Sequence, residues 1–246
     1  MYKALDTKFV AFFDILGFKN LVEKNSHEDL IKIYNDALCD TVNKIREIGI
    51  EHHNYDKTAV ESLESISQFI ISDSIILIQN EFNHRGLFFL ILQSRVLLRM
   101  GINEGIPLRG AISLGEISVL ENLGTTIVGR GLTNAYQMES IQNWSGAIID
   151  PNCFKIHPND ISFINILTKS DKPLLIEYDV PLKAFYEDNF FAINWVDKSD
   201  SIDDIRNAFY SHKKEIESPK QEEIINNTLQ FAKYIKGIVR SNTDPT

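Results

Sequence analysis

Residues 8–13 (KFVAFF) are a short apolar run rich in β-formers that stops at Asp14, followed by Ile15, Leu16, Gly17 and Phe18. This predicts a buried strand ending in an acidic turn. Beyond the turn the period lengthens: Ser26 with Asp29 has the spacing of a capping box, and Leu30, Ile33, Tyr34, Ala37, Leu38, Thr41, Val42 and Ile45 follow at helical spacing. One long amphipathic helix is expected there. Residues 50–64 are polar and aperiodic and predict a loop, whereas SISQFIISDSIILIQN is two apolar runs broken at Ser72-Asp73-Ser74, a tight hairpin. Residues 83–100 are apolar on most faces, the mark of a buried helix. LRGAISLGEISVL (108–120) alternates loosely around two glycines and predicts a strand pair. Residues 132–141 predict a helix, and 146–149 and 190–196 predict strands. The remainder predicts helix, with Ile224, Thr228, Phe231, Ala232, Ile235 and Val239 as one apolar stripe beside a solvated charged face.

The order β-α-β-β-α-β with appended elements argues for an α+β fold, a ferredoxin-like sandwich with helices packed on a mainly antiparallel sheet and a helical C-terminal extension. Residues 1–155 are expected to form the main domain, and 156–246 an extension packed on it. Of the 246 residues 43% are hydrophobic and 24% charged, ordinary globular composition. The formal charge of −9 opposes a broad phosphate-binding surface, so no nucleic acid polymer is expected as a partner. A small phosphate ligand then needs a metal ion. Cys39 and Cys153 are too few for a disulfide framework. With no signal-peptide pattern, and with Leu87–Leu92 as the longest apolar stretch, a cytoplasmic protein without membrane insertion is expected. The six histidines show no cluster with the acidic turn and read as surface residues.

Two strand ends carry an aspartate between apolar flanks, Asp14 in FFDILGF and Asp73 in IISDSII. In a ferredoxin-like fold the end of the first strand adjoins the tip of the central hairpin. Two carboxylates that meet there repel unless a divalent cation neutralises them, and a hard cation such as Mg²⁺ favours carboxylate oxygens. Each also has a structural reading, Asp14 as a helix cap and Asp73 as a turn former. The turn through Gly17 and Phe18 opens a helix whose free N–H groups suit a polyphosphate.

FFDILGF, SDSI, LRGAISLGE and GRGLTNAYQMES, in that order and spacing across residues 9 to about 150, resemble the catalytic domain of class III nucleotide cyclases. The opening block, the SDS and the AYQME ending are most similar to the pyrimidine cyclases of bacterial anti-phage Pycsar systems. The resemblance implies conversion of UTP or CTP to a 3′,5′-cyclic monophosphate and pyrophosphate, as a messenger for a separate effector protein. It implies two Mg²⁺ or Mn²⁺ ions per site, held by Asp14, Asp73 and the Ile15 carbonyl.

The resemblance also places base selection at Phe69 and Thr126, where purine-specific relatives carry lysine and aspartate. Phe69 narrows the pocket toward a one-ring base, or is simply a core residue of its strand. The ribose and phosphate slots, asparagine and arginine in the family, fall on Thr133 and Gln137. Because a neutral Gln137 carries no charge, Arg109 and Arg130 are the candidate replacements, with Arg109 equally readable as a solvated strand residue. The family pattern implies a homodimer with both sites at the interface. A purine cyclase and a catalytically degenerate nucleotide-binding dimerisation domain remain as alternatives.

Overall fold

A computed structural model describes residues 6–39, 57–120, 125–155, 160–170, 172–184, 190–197 and 199–241. Strand β1 (Thr7–Ile15) leads through the Gly17 turn into helices α1 (Phe18–Lys24) and α2 (His27–Ile33). Helix α3 (Lys57–Glu64) precedes the hairpin of β2 (Ile66–Ile71) and β3 (Ser74–Gln79). Helix α4 (His84–Asn103) then returns to β4 (Leu108–Glu116). These strands lie in the order β2-β3-β1-β4, each antiparallel to its neighbours. That is the ferredoxin-like arrangement expected from the element order.

A ribbon of β5 (Ser118–Leu120) and β6 (Thr126–Val128) and helix α5 (Arg130–Ser140) follow. Next come β7 (Gly146–Ile149), α6 (Asp160–Thr168), β8 (Leu175–Glu177) and β9 (Phe191–Ile193). Helices α7 (Ile202–Asn207) and α8 (Pro219–Ser241) close the chain. Strand β7 joins β4 in parallel, and β9 and β8 extend the sheet to seven strands. The residues after 155 therefore continue the same sheet.

Side chains alternate across β1. Phe9, Ala11, Phe13 and Ile15 enter the large core beneath α1 to α4, while Val10 and Phe12 face the other side with Ile76, Ile78 and Ile117. The second face is covered mainly by α5, which contributes the buried Ala135. Helix α4 is long and apolar enough by composition to cross a bilayer, but 61% of its apolar window is buried inside the fold. It is the central core helix.

Four expectations need correction. Part of the region read as a loop is α3, whose Ala59 and Leu63 are buried one turn apart. The long helix predicted from Ser26 is preceded by a separate α1, and after Ile33 it widens into a π-helical turn over Tyr34–Cys39. Its Ser26 cap is present, with the hydroxyl accepting from the Asp29 N–H at 3.1 Å, and the predicted residues Thr41, Val42 and Ile45 lie outside the described residues. Residues 108–120 are not a strand pair, because β4 runs unbroken for nine residues and β5 pairs with β6 instead. The segment after 155 holds a second strand beside the one expected at 190–196, since β8 was hidden by its length of three residues.

Candidate active site

The site begins with strand register. Asp14 pairs with Ser74 of β3 on one side and Arg109 of β4 on the other, so all three point to the face that α5 partly covers. The β2–β3 turn brings Asp73 alongside: its carbonyl accepts from the Ile15 N–H at 3.0 Å. The Leu16 N–H is taken by the Pro107 carbonyl at 2.9 Å, and Gly17 adopts a left-handed φ of 78°, which a side chain would strain. Asp14 makes no cap, as the cap position of α1 is Gly17 and carries no side-chain bond. The first-turn N–H groups of Phe18, Lys19 and Asn20 have no acceptor within the helix.

The Asp14 carboxyl is pushed up to about 6, first by burial and then by the charges of Glu139 and Asp73, against the lowering effect of Arg109 and Lys183. The phenol of Tyr34 is pushed up to about 12 by burial and by Asp73. Asp73 is therefore near enough to raise the proton affinity of both Asp14 and Tyr34. Among the described residues no group of three or more histidine, cysteine or acid side chains has metal-ligand spacing. Two carboxylates at a strand end, in no ion pair among the described residues, match the chemistry of Mg²⁺ or Mn²⁺, which takes one or two carboxylates and fills its other positions with water and substrate phosphate. The residues fit such an ion.

Arg109 is already engaged within the fold. Its Nε donates to Glu139 at 2.5 Å and its Nη1 to the Gln142 carbonyl at 3.2 Å, and the pair's side chains are only 12% and 3% exposed. Burial raises the Glu139 carboxyl even so, outweighing Arg109. Gln142 completes the clamp, donating to the Gly110 carbonyl at 2.8 Å and accepting from Trp144 at 2.8 Å. From the C-terminal segment, the Lys183 ammonium donates to the Ser140 carbonyl and is lowered by its partial burial and then by Arg109.

The other sequence-derived residues are spread over the same side of the molecule. Phe69 lies two strands from β1 on the face of Asp14, one residue pair along: about 10 Å across and about 7 Å along by sheet geometry. It is partly buried against the apolar cluster that holds Val10, Phe12 and Ile76. Thr126 is exposed on the ribbon, and Arg130, Thr133 and Gln137 are exposed on α5. Among the described residues no hydrogen bond or ion pair joins any of these four to the aspartates. The structure thus brings together Asp14, Ile15, Asp73, Gly17, Phe18 and Arg109. It leaves Thr126, Arg130, Thr133 and Gln137 facing outward. Glu139, Lys183 and Tyr34 were not singled out in the sequence. Only Glu139 left a signal, as an acid continuing the small stripe Gly131, Ala135 at one-turn spacing.

No family model matches the chain, and no curated protein matches it. Solved structures do. The guanylate cyclase domain of RhGC from Catenaria anguillulae, in complex with GTP, is 14% identical over 78% of this chain and 96% of its own, with a TM-score of 0.46. A rhodopsin-guanylyl cyclase catalytic core with converted specificity, in complex with ATPαS, is 13% identical over 78% and 97%, with a TM-score of 0.46. The monomeric guanylyl cyclase domain of RhoGC from Blastocladiella emersonii is 17% identical over 63% and 86%, with a TM-score of 0.41. The strand order and the site geometry stand without these overlaps.

Proposed function

We propose that this chain is a metal-dependent nucleotide cyclase that acts on a pyrimidine nucleoside triphosphate. The observation that carries the reading is the juxtaposition of Asp14 and Asp73 at adjoining strand ends, with Asp14 raised to about 6 by burial and by its acidic neighbours. Asp14, Asp73 and the Ile15 carbonyl would hold Mg²⁺ or Mn²⁺, two ions per site in the full reading. A divalent cation held there would neutralise the carboxylates, acidify the ribose 3′-OH and offset phosphate charge.

The chain's own residues supply position and selection. The Gly17–Phe18 turn offers backbone N–H groups to the phosphate tail, so an acidic protein needs no basic patch for it. Phe69, on the same face as Asp14, gives an apolar wall suited to one ring, and the Thr126 hydroxyl can donate to or accept from a base edge. With Arg109 spent on Glu139, Arg130 is the exposed arginine with no partner among the described residues, and it takes the charge role that neutral Gln137 cannot fill. Thr126, Arg130, Thr133 and Gln137 point outward because they serve the site of a second copy. Ile71, Val128 and Tyr136, at 55%, 52% and 55% exposure, are the apolar surface for that homodimer. The cyclic product would act in the cytoplasm on a separate effector, as an anti-phage signal.

Calorimetric titration with Mn²⁺ and nucleotide tests the binding half of this reading. UTP or CTP should bind the parent chain and fail to bind Asp14→Asn and Asp73→Asn; binding indifferent to both substitutions rejects it. Gln137 in the arginine slot and the spent Arg109 favour one second reading, a domain that binds the nucleotide without turning it over.

A further inference from the structure

Tyr34 sits where α2 gives way to the π-helical turn Tyr34–Cys39. Such a widened turn shifts side chains out of the α-helical phase and is found often at functional sites. Two contacts follow. The Tyr34 hydroxyl donates to the Ser72 carbonyl at 2.6 Å, and its ring stands edge-on to Phe18 with centroids 6.4 Å apart and planes at 75°. Phe18 belongs to the turn that follows Asp14, and Ser72 immediately precedes Asp73. One side chain therefore touches both aspartate-bearing turns.

The Ser72–Asp73 turn needs such support. Ser72 has φ 56° and is the first central residue of a two-residue hairpin turn, a position glycine occupies without strain and serine does not. Each central residue has its carbonyl tied down from outside the hairpin. The Ser72 carbonyl is held by Tyr34, and the Asp73 carbonyl by the Ile15 N–H. The second tie sets Asp73 against β1, and the first fixes the turn's shape, on which the direction of the carboxylate depends.

We infer that Tyr34 is a positioning residue for the Asp14–Asp73 pair, holding the Ser72–Asp73 turn by its hydroxyl and the Phe18 turn by its ring. This rests on the reading of the pair as a divalent-metal site. Tyr34→Phe removes one oxygen and keeps the ring, and Ser72→Gly lets the turn keep its shape unaided.

The test is Mn²⁺ affinity by electron paramagnetic resonance on the full chain without nucleotide, alongside thermal unfolding in EDTA. Tyr34→Phe should weaken Mn²⁺ binding by roughly tenfold or more, the usual cost of losing support behind a ligand, and Ser72→Gly in that background should recover most of the loss. Affinity that stays within about twofold of the parent's overturns the inference, as does a loss that glycine does not rescue. A Tyr34→Phe chain that fails to fold overturns it too, by making the hydroxyl a requirement of the fold. Failure of the metal reading looks different: the parent chain itself then binds no Mn²⁺, or binds it equally well with Asp14→Asn, and both conclusions fall together.

Discussion

Asp14 carries an electrostatic cost in the site. A carboxyl whose folded value is about 6 against 3.8 when free favours the proton in the folded state, so its ionisation removes stability as pH rises from about 4 to about 6. Two units correspond to nearly 3 kcal/mol, and partial exposure reduces this to about 1–3 kcal/mol. Asp14→Asn should therefore raise the Tm of the metal-free chain at pH 7.5 by about 2–8 °C and flatten its stability between pH 4 and 6, read by thermal unfolding in EDTA. Mn²⁺ should raise the parent's Tm above pH 6, less below it, and leave the variant unchanged. Arg109 behaves oppositely. Arg109→Ala strands a buried Glu139 and should cost about 3–5 kcal/mol in chemical denaturation. The meeting of Asp14 and Asp73 was legible because both stand at strand ends that adjoin in this order of strands. The Arg109–Glu139 pairing was not, since its partners lie 30 residues apart and meet only when α5 crosses β4.

Helix α5 lies flat on the sheet through two glycines. A Cβ on Gly115 would come within 2.6 Å of the Gly131 nitrogen, and one on Gly131 within 2.9 Å of Val10 Cγ2. Gly115→Ala should lift the helix, cost about 1–3 kcal/mol in denaturation and speed amide exchange along residues 130–140. Long periodic elements were legible from pattern alone: β1, the β2–β3 hairpin, α4 and α8 stand where apolar spacing put them. Helix α3 was missed because the residues it buries, Ala59, Ser62 and Leu63, include a polar one and lie in a polar stretch, and β8 because three residues show no period. Strand β5 was misassigned because its partner is fixed by the ribbon's closure onto β6, which alternation within 108–120 does not encode.

Across the whole molecule, one sheet face is sealed by helices and the other is left half covered, with apolar side chains around the site. A net charge of −9 opposes the approach of polyphosphate, so in the proposed function the nucleotide would arrive with its metal. Tyr136 sits on Phe12 edge-on at 5.5 Å and is 55% exposed. Tyr136→Glu should turn a dimer into a monomer in sedimentation, with the fold intact by circular dichroism. The most direct measurement is product formation from each of the four ribonucleoside triphosphates in Mn²⁺, resolved by chromatography, for the parent chain and Asp14→Asn. The parent chain should yield 3′,5′-cyclic UMP or CMP with release of pyrophosphate, and the variant none. No cyclic product from any nucleotide, a preference for ATP or GTP, or turnover that survives Asp14→Asn would contradict it.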